Sequence, residues 1–379
     1  MSFEIFELER WQSDYEHAVE YNLADSSVRG ANMGDLAGPA EREGLWDLEL
    51  GYPMVNGTAA LRDRIAALYP GATRDNVLVT VGGAEANAII CQTLIGPGDR
   101  VAVMEPGYRQ IWGLAKALGG TVIPFPLDAE AGWRPRLDQL AQAARGGLAA
   151  ISVVNPNNPT GSVLTAAERA RLAAIAAETG AWILADEVYR GSERHTDVET
   201  RSLWGDYDRT IAVSSLSKAY GLAGLRLGWI VAPADLIGPL WRRHEYAVIS
   251  AAGPSMRLAE LALSEPMRGR LIERQRSLSR AGWRVMEGWL AEEADLVSVG
   301  AAEATSMALV RYRLPLSSVA VADRIRRDAS VLVAPGEYLG ADHHLRITHG
   351  LGAEYVTEAL GRIAGVLRRL ASERTAAAR

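Results

Sequence analysis

The segment Ser214-Ser215-Leu216-Ser217-Lys218-Ala219-Tyr220-Gly221-Leu222 directly follows an apolar run, residues 210–213, that is typical of a buried strand. The chain has 40 Lys and Arg residues, yet only Lys116 and Lys218 are lysines, and Lys116 falls on a predicted surface helix. A lysine amine, unlike a guanidinium, can form a Schiff base with an aldehyde when its surroundings lower its pKa. Lys218 is therefore a candidate for covalent chemistry, and an ordinary loop lysine is the alternative.

Short apolar strands alternate with amphipathic helices from about residue 58 to residue 235. Continuously apolar strands separated by helices are typical of a mostly parallel sheet that is buried on both faces. The patterns predict strands over residues 77–81, 101–104, 122–126, 149–154, 182–185 and 210–213. They predict helices over residues 59–68, 84–94, 110–118 and 166–179. We expect an α/β fold whose mostly parallel sheet is covered by helices on both faces.

The chain changes character after about residue 250. A helical stretch over 270–293, strand-like segments at 308–312 and 331–334, and a terminal helix over 354–370 indicate a smaller α+β domain. The sequence thus predicts an N-terminal arm with part of the small domain (residues 1–50), a large α/β domain that contains the candidate Lys218 (51–250) and a C-terminal small domain (251–379).

Polar residues follow several of these strands, at the edge of the sheet where ligands bind in such folds. In the segment 185–189, the carboxylate of Asp186 can face the pyridinium nitrogen of pyridoxal phosphate, and Tyr189 can donate to the phenolic oxygen of that cofactor. Neighbouring side chains of a strand point in opposite directions, so only Asp186, and not Glu187, should face the ring. A helix cap or a metal ligand is the alternative for Asp186.

A second polar segment, Asn155-Pro156-Asn157-Asn158-Pro159-Thr160-Gly161, also follows a strand. Its Pro and Gly residues favour a rigid turn, and Asn158 offers an amide donor to the same phenolic oxygen. A turn without a binding role is the alternative.

A phosphate site is predicted where Gly82-Gly83-Ala84-Glu85 opens a helix, because the first N–H groups of a helix bind phosphate. Ser215, Ser217 and Arg226 lie near Lys218 in the sequence and could supply further contacts. Tyr108 follows another strand and could stack on a ring. Each of these features also has an ordinary structural explanation: a helix start, a cap, a surface cation or a core aromatic. The prediction of a phosphate site therefore depends on the joint occurrence of these residues.

The chain resembles the class I/II aminotransferases of pyridoxal-phosphate fold type I over about residues 52–346. Residues 155–161 resemble the Asn-Pro-x-Asn-Pro-Thr-Gly segment of that family, and residues 186–189 resemble its Asp-x-x-Tyr segment. Residues 215–218, with Arg226 eight positions beyond the lysine, resemble its Schiff-base and phosphate segment. The resemblance implies pyridoxal phosphate as the cofactor, and Lys218, Asp186 and Tyr189 as the catalytic residues.

The resemblance also implies contacts outside these segments. Tyr52, in Tyr52-Pro53-Met54-Val55-Asn56-Gly57, matches a tyrosine that reaches the phosphate of a neighbouring subunit, which implies a homodimer with shared active sites. Arg346 matches the arginine that holds the substrate α-carboxylate, a task suited to a planar guanidinium. The resemblance further implies that Asn158 contributes to binding an amino-acid substrate.

Three positions depart from the family pattern. Ala84 stands where a hydroxyl residue is common, and His349 stands where an aromatic residue is common. Ala24-Asp25-Ser26-Ser27-Val28 replaces a usual Gly-x-Pro pattern in a stretch that borders the substrate side chain, so Ser27 is a predicted substrate contact. With Glu9-Arg10-Trp11, this stretch resembles capreomycidine-synthase-type enzymes, which make a cyclic arginine derivative on the same fold.

Two reactions remain open at this point. Transamination would pass the amino group of an α-amino acid to a 2-oxo acid, with Lys218 moving the α-proton. Elimination, replacement or cyclisation in natural-product biosynthesis would use the same cofactor, and the departure near Ser27 favours it. A regulator that only senses the cofactor would need a fused DNA-binding domain, and no segment indicates one.

The composition restricts the partners. The formal net charge is −6 and no basic run stands out, which argues against nucleic-acid binding. Cys91 is the only cysteine, so no disulfide framework or Cys-based zinc site is expected, and no metal is predicted. No apolar stretch reaches the roughly 18 residues of a membrane span, and no signal-peptide core is visible, so we expect a cytoplasmic protein that does not bind membranes.

Overall fold

A computed structural model describes the backbone of residues 2–377 and the side chains of residues 2–39 and 41–373. Residues 1, 378 and 379, the ends of two predicted domains, lie outside the described range. The strands are β1 (Tyr21–Asn22), β2 (Val77–Thr80), β3 (Arg100–Glu105), β4 (Thr121–Asp128), β5 (Arg134–Pro135), β6 (Ala150–Val154), β7 (Trp182–Asp186), β8 (Thr210–Ser215), β9 (Gly228–Val231), β10 (Val297–Val299), β11 (Met307–Tyr312), β12 (Val331–Leu332), β13 (Ala334–Pro335) and β14 (His344–Thr348).

The α-helices are α1 (Glu7–Tyr15), α2 (Met33–Leu36), α3 (Pro39–Trp46), α4 (Ala59–Ala66), α5 (Gly82–Leu94), α6 (Gln110–Ala117), α7 (Leu137–Ala144), α8 (Ala166–Thr179), α9 (Ala234–Ala247), α10 (Gly253–Ala262), α11 (Met267–Glu292), α12 (Ser318–Ala329) and α13 (Ala353–Ala377). Short 3₁₀ turns cover Arg74–Asn76, Ala223–Leu225 and Gly336–Leu339.

The central sheet has eight strands in the order β2-β9-β8-β7-β6-β3-β4-β5. Strands β8, β7, β6, β3 and β4 pair in parallel, and β5 is antiparallel to β4. Strand β9 is antiparallel to both β2 and β8, so β2 runs in the same direction as the parallel strands. The carboxyl ends of these strands therefore meet at one edge of the sheet.

Side chains alternate between the two faces of this sheet, as expected for a strand buried on both sides. Leu78 and Leu184 pack with α5, α6 and α9 on one face. Val77 packs with α4 and α10 on the opposite face, and Ile183 packs there with α7 and α8. The predicted α/β fold with helices on both faces of a mostly parallel sheet is thus confirmed.

A second, antiparallel sheet has the order β10-β11-β14-β13 and packs with α11, α12 and α13. The N-terminal helix α1 contributes Leu8 and Trp11 to the same core. Strand β1 pairs in parallel with β12, where Tyr21 lies opposite Val331. The first two dozen residues therefore pack with the C-terminal part of the chain.

Several elements differ from the sequence prediction. No helix or strand was predicted before residue 59, yet residues 1–50 contain α1, α2 and α3; helix α1 buries only Leu8 and Trp11. Strand β9 was missed because no helix separates it from β8, and the expected alternation of strands with helices does not apply there. The predicted strand over 331–334 is two short strands in different sheets. None of the helices within residues 2–377 is long and apolar enough to cross a membrane.

Glu187 directly follows β7 and is fully buried, on the side of the strand opposite to Asp186. Its carboxylate accepts hydrogen bonds from the Ser202 hydroxyl at 2.9 Å and the Leu203 N–H at 2.7 Å. It also pairs with Arg190 at 3.3 Å. This carboxylate therefore anchors the loop of residues 202–203 to the end of the sheet.

We predict that Glu187→Gln lowers the free energy of unfolding by about 3 kcal/mol, because it leaves the buried Arg190 guanidinium without its counter-charge. Urea titration should show a lower midpoint. The control is Glu178→Gln, which removes an exposed ion pair with Arg171 and should change the stability by less than about 0.5 kcal/mol. Equal midpoints for Glu187→Gln and the unmodified protein would contradict this role.

Candidate active site

A cavity of about 360 Å³ lies at the carboxyl edge of the central sheet. Its lining includes these residues predicted from the sequence: Ser27, Gly83, Ala84, Tyr108, Asn158, Asp186, Tyr189, Ser215, Ser217, Lys218 and Arg226. Two predicted site residues, Tyr52 and Arg346, are not part of this lining. The strand ends thus converge on one site, as their position in a parallel sheet predicts.

Lys218 lies three residues beyond the end of β8, and its side chain is 23% exposed. Its ammonium Nζ donates to the Ser26 hydroxyl at 2.8 Å and to the Ser27 hydroxyl at 3.2 Å. The nearest carboxylate oxygen of Asp25 is 3.8 Å from Nζ. Burial lowers the pKa of Lys218, although the charge of Asp25 opposes that shift. The amine is therefore closer to neutrality than an exposed lysine would be.

Asp186 is the last residue of β7 and faces the cavity, as the strand alternation predicts. Its carboxylate accepts from the Val188 N–H at 3.2 Å and lies 3.4 Å from the amide nitrogen of Asn87. Burial raises the pKa of Asp186 to about 6, and these two contacts and Lys218 limit the rise. The carboxylate is thus ionised at neutral pH without a cation in direct contact, and it can stabilise a positive charge.

Two tyrosines face the same cavity. The Tyr189 hydroxyl is buried and makes no hydrogen bond of ordinary geometry within residues 2–377, and burial raises its pKa so that it keeps its proton. Tyr108 donates to the carboxylate of Glu9 at 2.9 Å and lies in the cavity wall. A buried donor without a partner is costly, so the Tyr189 hydroxyl is suited to an acceptor that a ligand supplies.

The start of α5 forms a second part of the lining, with Gly83 and Ala84. No side chain caps this helix, so its first N–H groups can bind an anion. Gly82 has a φ of +78°, and a Cβ at that position would lie 2.8 Å from the guanidinium of Arg226. A glycine is therefore required for Arg226 to approach the helix start.

Two hydroxyls lie on the same side of the cavity as Arg226. The Ser217 hydroxyl is 3.5 Å from an Arg226 nitrogen, and the Ser215 hydroxyl accepts from the Ser217 N–H at 3.2 Å. Ala84 has no side-chain hydroxyl to add to this set, and its carbonyl accepts a hydrogen bond from Gln110 at 2.8 Å. The helix start, Arg226 and these hydroxyls form a set of donors that matches a phosphate.

Arg346 lies in β14 and is only 1% exposed. Its guanidinium donates to the side-chain oxygen of Asn158 at 3.0 Å and to the carbonyl oxygen of Ala24. Its Nε has no partner among the described residues. Asn158 and residues 25–27, which follow Ala24, line the cavity. They therefore lie between the Arg346 guanidinium and the cavity.

The other predicted residues are placed as follows. Tyr52 is 87% exposed and is not part of the cavity lining. His349 is fully buried against Trp283, and burial together with the charge of Arg194 lowers the pKa of His349 to about 3. His349 is therefore neutral, and it does not contact the cavity.

Sequence reasoning missed part of the lining. Helix α1 contributes Glu9, Gln12 and Ser13, but no helix was predicted there. Asn87 was also missed, although a signal existed. It is a polar residue one helical turn after Gly83, which places it on the same face of the helix.

The groups in this cavity fit pyridoxal phosphate. The Tyr189 hydroxyl, which has no hydrogen-bond partner among the described residues, and the amide nitrogen of Asn158 are donors for a phenolate oxygen. Asp186 suits a pyridinium. Lys218 supplies an amine, and the start of α5 with Arg226 supplies a phosphate site. Among the described residues, no group of three His, Cys, Asp or Glu side chains is arranged to hold a metal ion.

Comparison with known proteins gives consistent matches. The family "aminotransferase class I and II" matches residues 39–363. An arginine–pyruvate transaminase of Pseudomonas aeruginosa is 32% identical over 324 residues, which is 83% of this chain and 81% of that protein. A capreomycidine synthase of Streptomyces vinaceus is 29% identical over 348 residues, which is 90% of this chain and 88% of that protein.

A solved structure has the same fold. The pyridoxal-phosphate-dependent aminotransferase of Streptococcus suis has a TM-score of 0.91 and 30% identity, and the match covers 98% of this chain and 99% of that one. The family match extends over most of the sequence, and the architecture agrees along almost the whole chain. This chain therefore belongs to the class I and II aminotransferases and is a pyridoxal-phosphate-dependent enzyme.

Proposed function

We propose that this enzyme transfers the amino group of an α-amino acid to a 2-oxo acid, with pyridoxal phosphate bound to Lys218 as a Schiff base. The observation that carries the proposal is the cavity in which Lys218, Asp186 and the unsatisfied Tyr189 hydroxyl come together. When bound, pyridoxal phosphate supplies an electron sink that acidifies the proton on the substrate α-carbon.

In this proposal each part of the lining binds one part of the cofactor. Asp186 holds the proton on the ring nitrogen, and its burial makes that charge pairing strong. Tyr189 and Asn158 donate to the phenolic oxygen, and Tyr108 packs against the ring. The phosphate is bound by donors at the helix start and near Lys218: Gly83, Ala84, Ser215, Ser217 and Arg226.

Lys218 then moves the α-proton. A lysine can accept a proton only when its amine is neutral, and burial favours the neutral form. In the structure two hydroxyl contacts hold the amine near the end of β8. The same contacts would define its position once the substrate amine has displaced it from the cofactor. A neutral amine in a defined position suits a base that removes the proton from the substrate α-carbon.

The substrate carboxylate is assigned to Arg346. In the structure its guanidinium bonds the neutral oxygens of Ala24 and Asn158. A carboxylate that replaced the Ala24 carbonyl would form a stronger, charge-assisted contact. Ser27, next to this segment, would then contact the remainder of the substrate.

The substrate side chain is expected to be cationic. Glu9, Glu16 and Asp25 line the cavity, and none of them has a role in binding the cofactor in this proposal. Three carboxylates around one cavity favour a guanidinium or ammonium group. The similarity to an arginine–pyruvate transaminase supports this substrate class.

A second candidate function is elimination, replacement or cyclisation in natural-product biosynthesis. The specific observation in its favour is the contact between Lys218 and the segment Asp25-Ser26-Ser27, which replaces the Gly-x-Pro pattern usual in the family. The similarity to capreomycidine synthase also supports it and extends over 90% of the chain.

The two reactions differ in the form of the cofactor after one turnover. We predict that excess arginine, lysine or ornithine, without a 2-oxo acid, converts the cofactor of the purified enzyme to pyridoxamine phosphate, with one equivalent of 2-oxo product. Chromatography of the acid-released cofactor and mass spectrometry of the product provide the measurement. Aspartate should react poorly, and Lys218→Ala should be inactive. Repeated consumption of the amino acid with pyridoxal phosphate retained would instead establish the second candidate.

We also propose a homodimer in which Tyr52 reaches the phosphate of the partner. Trp46, Tyr52 and Tyr246 are 88%, 87% and 95% exposed, which is unusual for aromatic side chains and suits a protein interface. A tyrosine that is 87% exposed in one subunit is available to contact a second one.

We predict that co-expression of Tyr52→Ala with Lys218→Ala restores about a quarter of the unmodified activity, because half of the dimers are mixed and each mixed dimer has one intact site. Each variant alone should have much lower activity. Sedimentation should give a dimer in every case. Unchanged activity of Tyr52→Ala, or no recovery in the mixture, would contradict shared sites.

The two arginines should have separable roles. Arg346→Lys keeps the charge but loses the planar fork, so amino-acid binding should weaken about ten- to hundredfold while the visible absorbance of the bound cofactor is unchanged. Arg226→Lys should lose cofactor during dialysis. Absorbance scans and amino-acid titrations after dialysis measure both effects, and Arg171→Lys on the surface of α8 is the control. Cofactor loss in Arg346→Lys would show that the two assignments are exchanged.

A further inference from the structure

The segment Asp25-Ser26-Ser27 surrounds the amine of Lys218 in a way that the proposed reaction does not require. Two hydroxyl oxygens lie within 3.2 Å of Nζ, and a carboxylate oxygen lies at 3.8 Å. The contact joins residues 192 positions apart in the sequence. The segment and the lysine therefore meet only in the folded chain.

The segment is held rigidly from several sides. The Asp25 carboxylate accepts from the N–H groups of Ser26 at 2.5 Å and Ser27 at 3.1 Å, which closes a tight turn. The Thr348 hydroxyl donates to the Asp25 carbonyl. The two hydroxyls are thus fixed in position by the backbone that carries them.

A hydroxyl suits a group that changes its protonation state. Each serine oxygen accepts a hydrogen bond from an ammonium, and the same hydroxyl can donate to a neutral amine. The contact with Ser26 or Ser27 is therefore available whether Lys218 is charged or neutral. An ionised carboxylate only accepts hydrogen bonds, so it cannot donate to the lone pair of a neutral amine.

The charges around Lys218 oppose one another. Asp25 and Glu9 favour the ammonium, whereas Arg346 and Arg226 disfavour it, and burial disfavours it most. Asp186, at the end of β7, also interacts with the amine. Asp25 is the acidic residue in direct ion-pair contact with Nζ, so its removal should have the largest effect on the ammonium.

We propose that Asp25, Ser26 and Ser27 together form the positioning group of Lys218: the hydroxyls fix the direction of its amine, and the carboxylate stabilises its ammonium form. The proposal depends on the proposed function only in taking Lys218 as the reactive lysine. It assigns the segment a role toward the lysine in addition to the substrate contact predicted for Ser27.

The chain offers an internal reference for a test, because Lys116 and Lys218 are its only lysines. Lys116 is on the surface and pairs with Glu4 at 2.6 Å. Cofactor-free enzyme would be labelled briefly with an amine-reactive reagent between pH 6 and pH 11. Mass spectrometry of the two peptides then gives the midpoint of labelling for each lysine, without any turnover.

In Asp25→Asn we expect the Lys218 midpoint to fall by about 1 pH unit, so that labelling below the midpoint is about tenfold faster. The midpoint should fall because the Lys218 ammonium is less stable once the nearby negative charge is removed. Asp25→Glu keeps the negative charge, so its Lys218 midpoint should stay close to that of the unmodified protein. Asp14→Asn changes an exposed residue of α1 and should leave the midpoint unchanged. A midpoint for Asp25→Asn that is unchanged or higher would overturn the proposal.

The hydroxyls are tested by the rate at which cofactor-free enzyme gains visible absorbance after pyridoxal phosphate is added. The double variant Ser26→Ala with Ser27→Ala should slow this rate several-fold, and Ser26→Thr should keep it. An unchanged rate in the folded double variant would overturn the positioning role. Absence of transamination in the unmodified enzyme would overturn the proposed function but would not affect these two measurements.

Discussion

The constraint on which the site depends is the partial burial of one amine at the edge of a parallel sheet. Lys218 follows β8, and its Nζ is withdrawn from water between the sheet and residues 25–27. An amine in that position needs acceptors for its hydrogens, and two serine hydroxyls provide them. Segments distant in sequence therefore have to meet at Lys218, and the cavity lies at their meeting point.

Much of this arrangement could be predicted from the sequence, because it depends on local rules. Strand patterns locate the carboxyl edge of the sheet, and the residues just beyond each strand form the site. Alternation along β7 separates Asp186, which faces the cavity, from Glu187, which anchors a loop. The glycine pair at residues 82 and 83 marks the start of α5.

The remainder depends on long-range packing, for which a single sequence carries little signal. Asp25 contacts Lys218, which lies nearly 200 positions later in the sequence. Glu9 lines the cavity from a helix that has only two buried side chains. The position of Arg346 behind Asn158 follows from how two sheets are placed against each other. Periodicity predicts which face of an element is buried but not which distant element covers it.

The parallel pairing of β1 with β12 has a consequence for biosynthesis. Tyr21 leaves the ribosome some 310 residues before its partner Val331. The N-terminal piece that closes the cavity must therefore wait, without its partner strand, while the central sheet is translated and can already fold. A nascent chain arrested before residue 331 would contain Lys218 but not β12, so the N-terminal segment that packs against this lysine would still lack its partner strand.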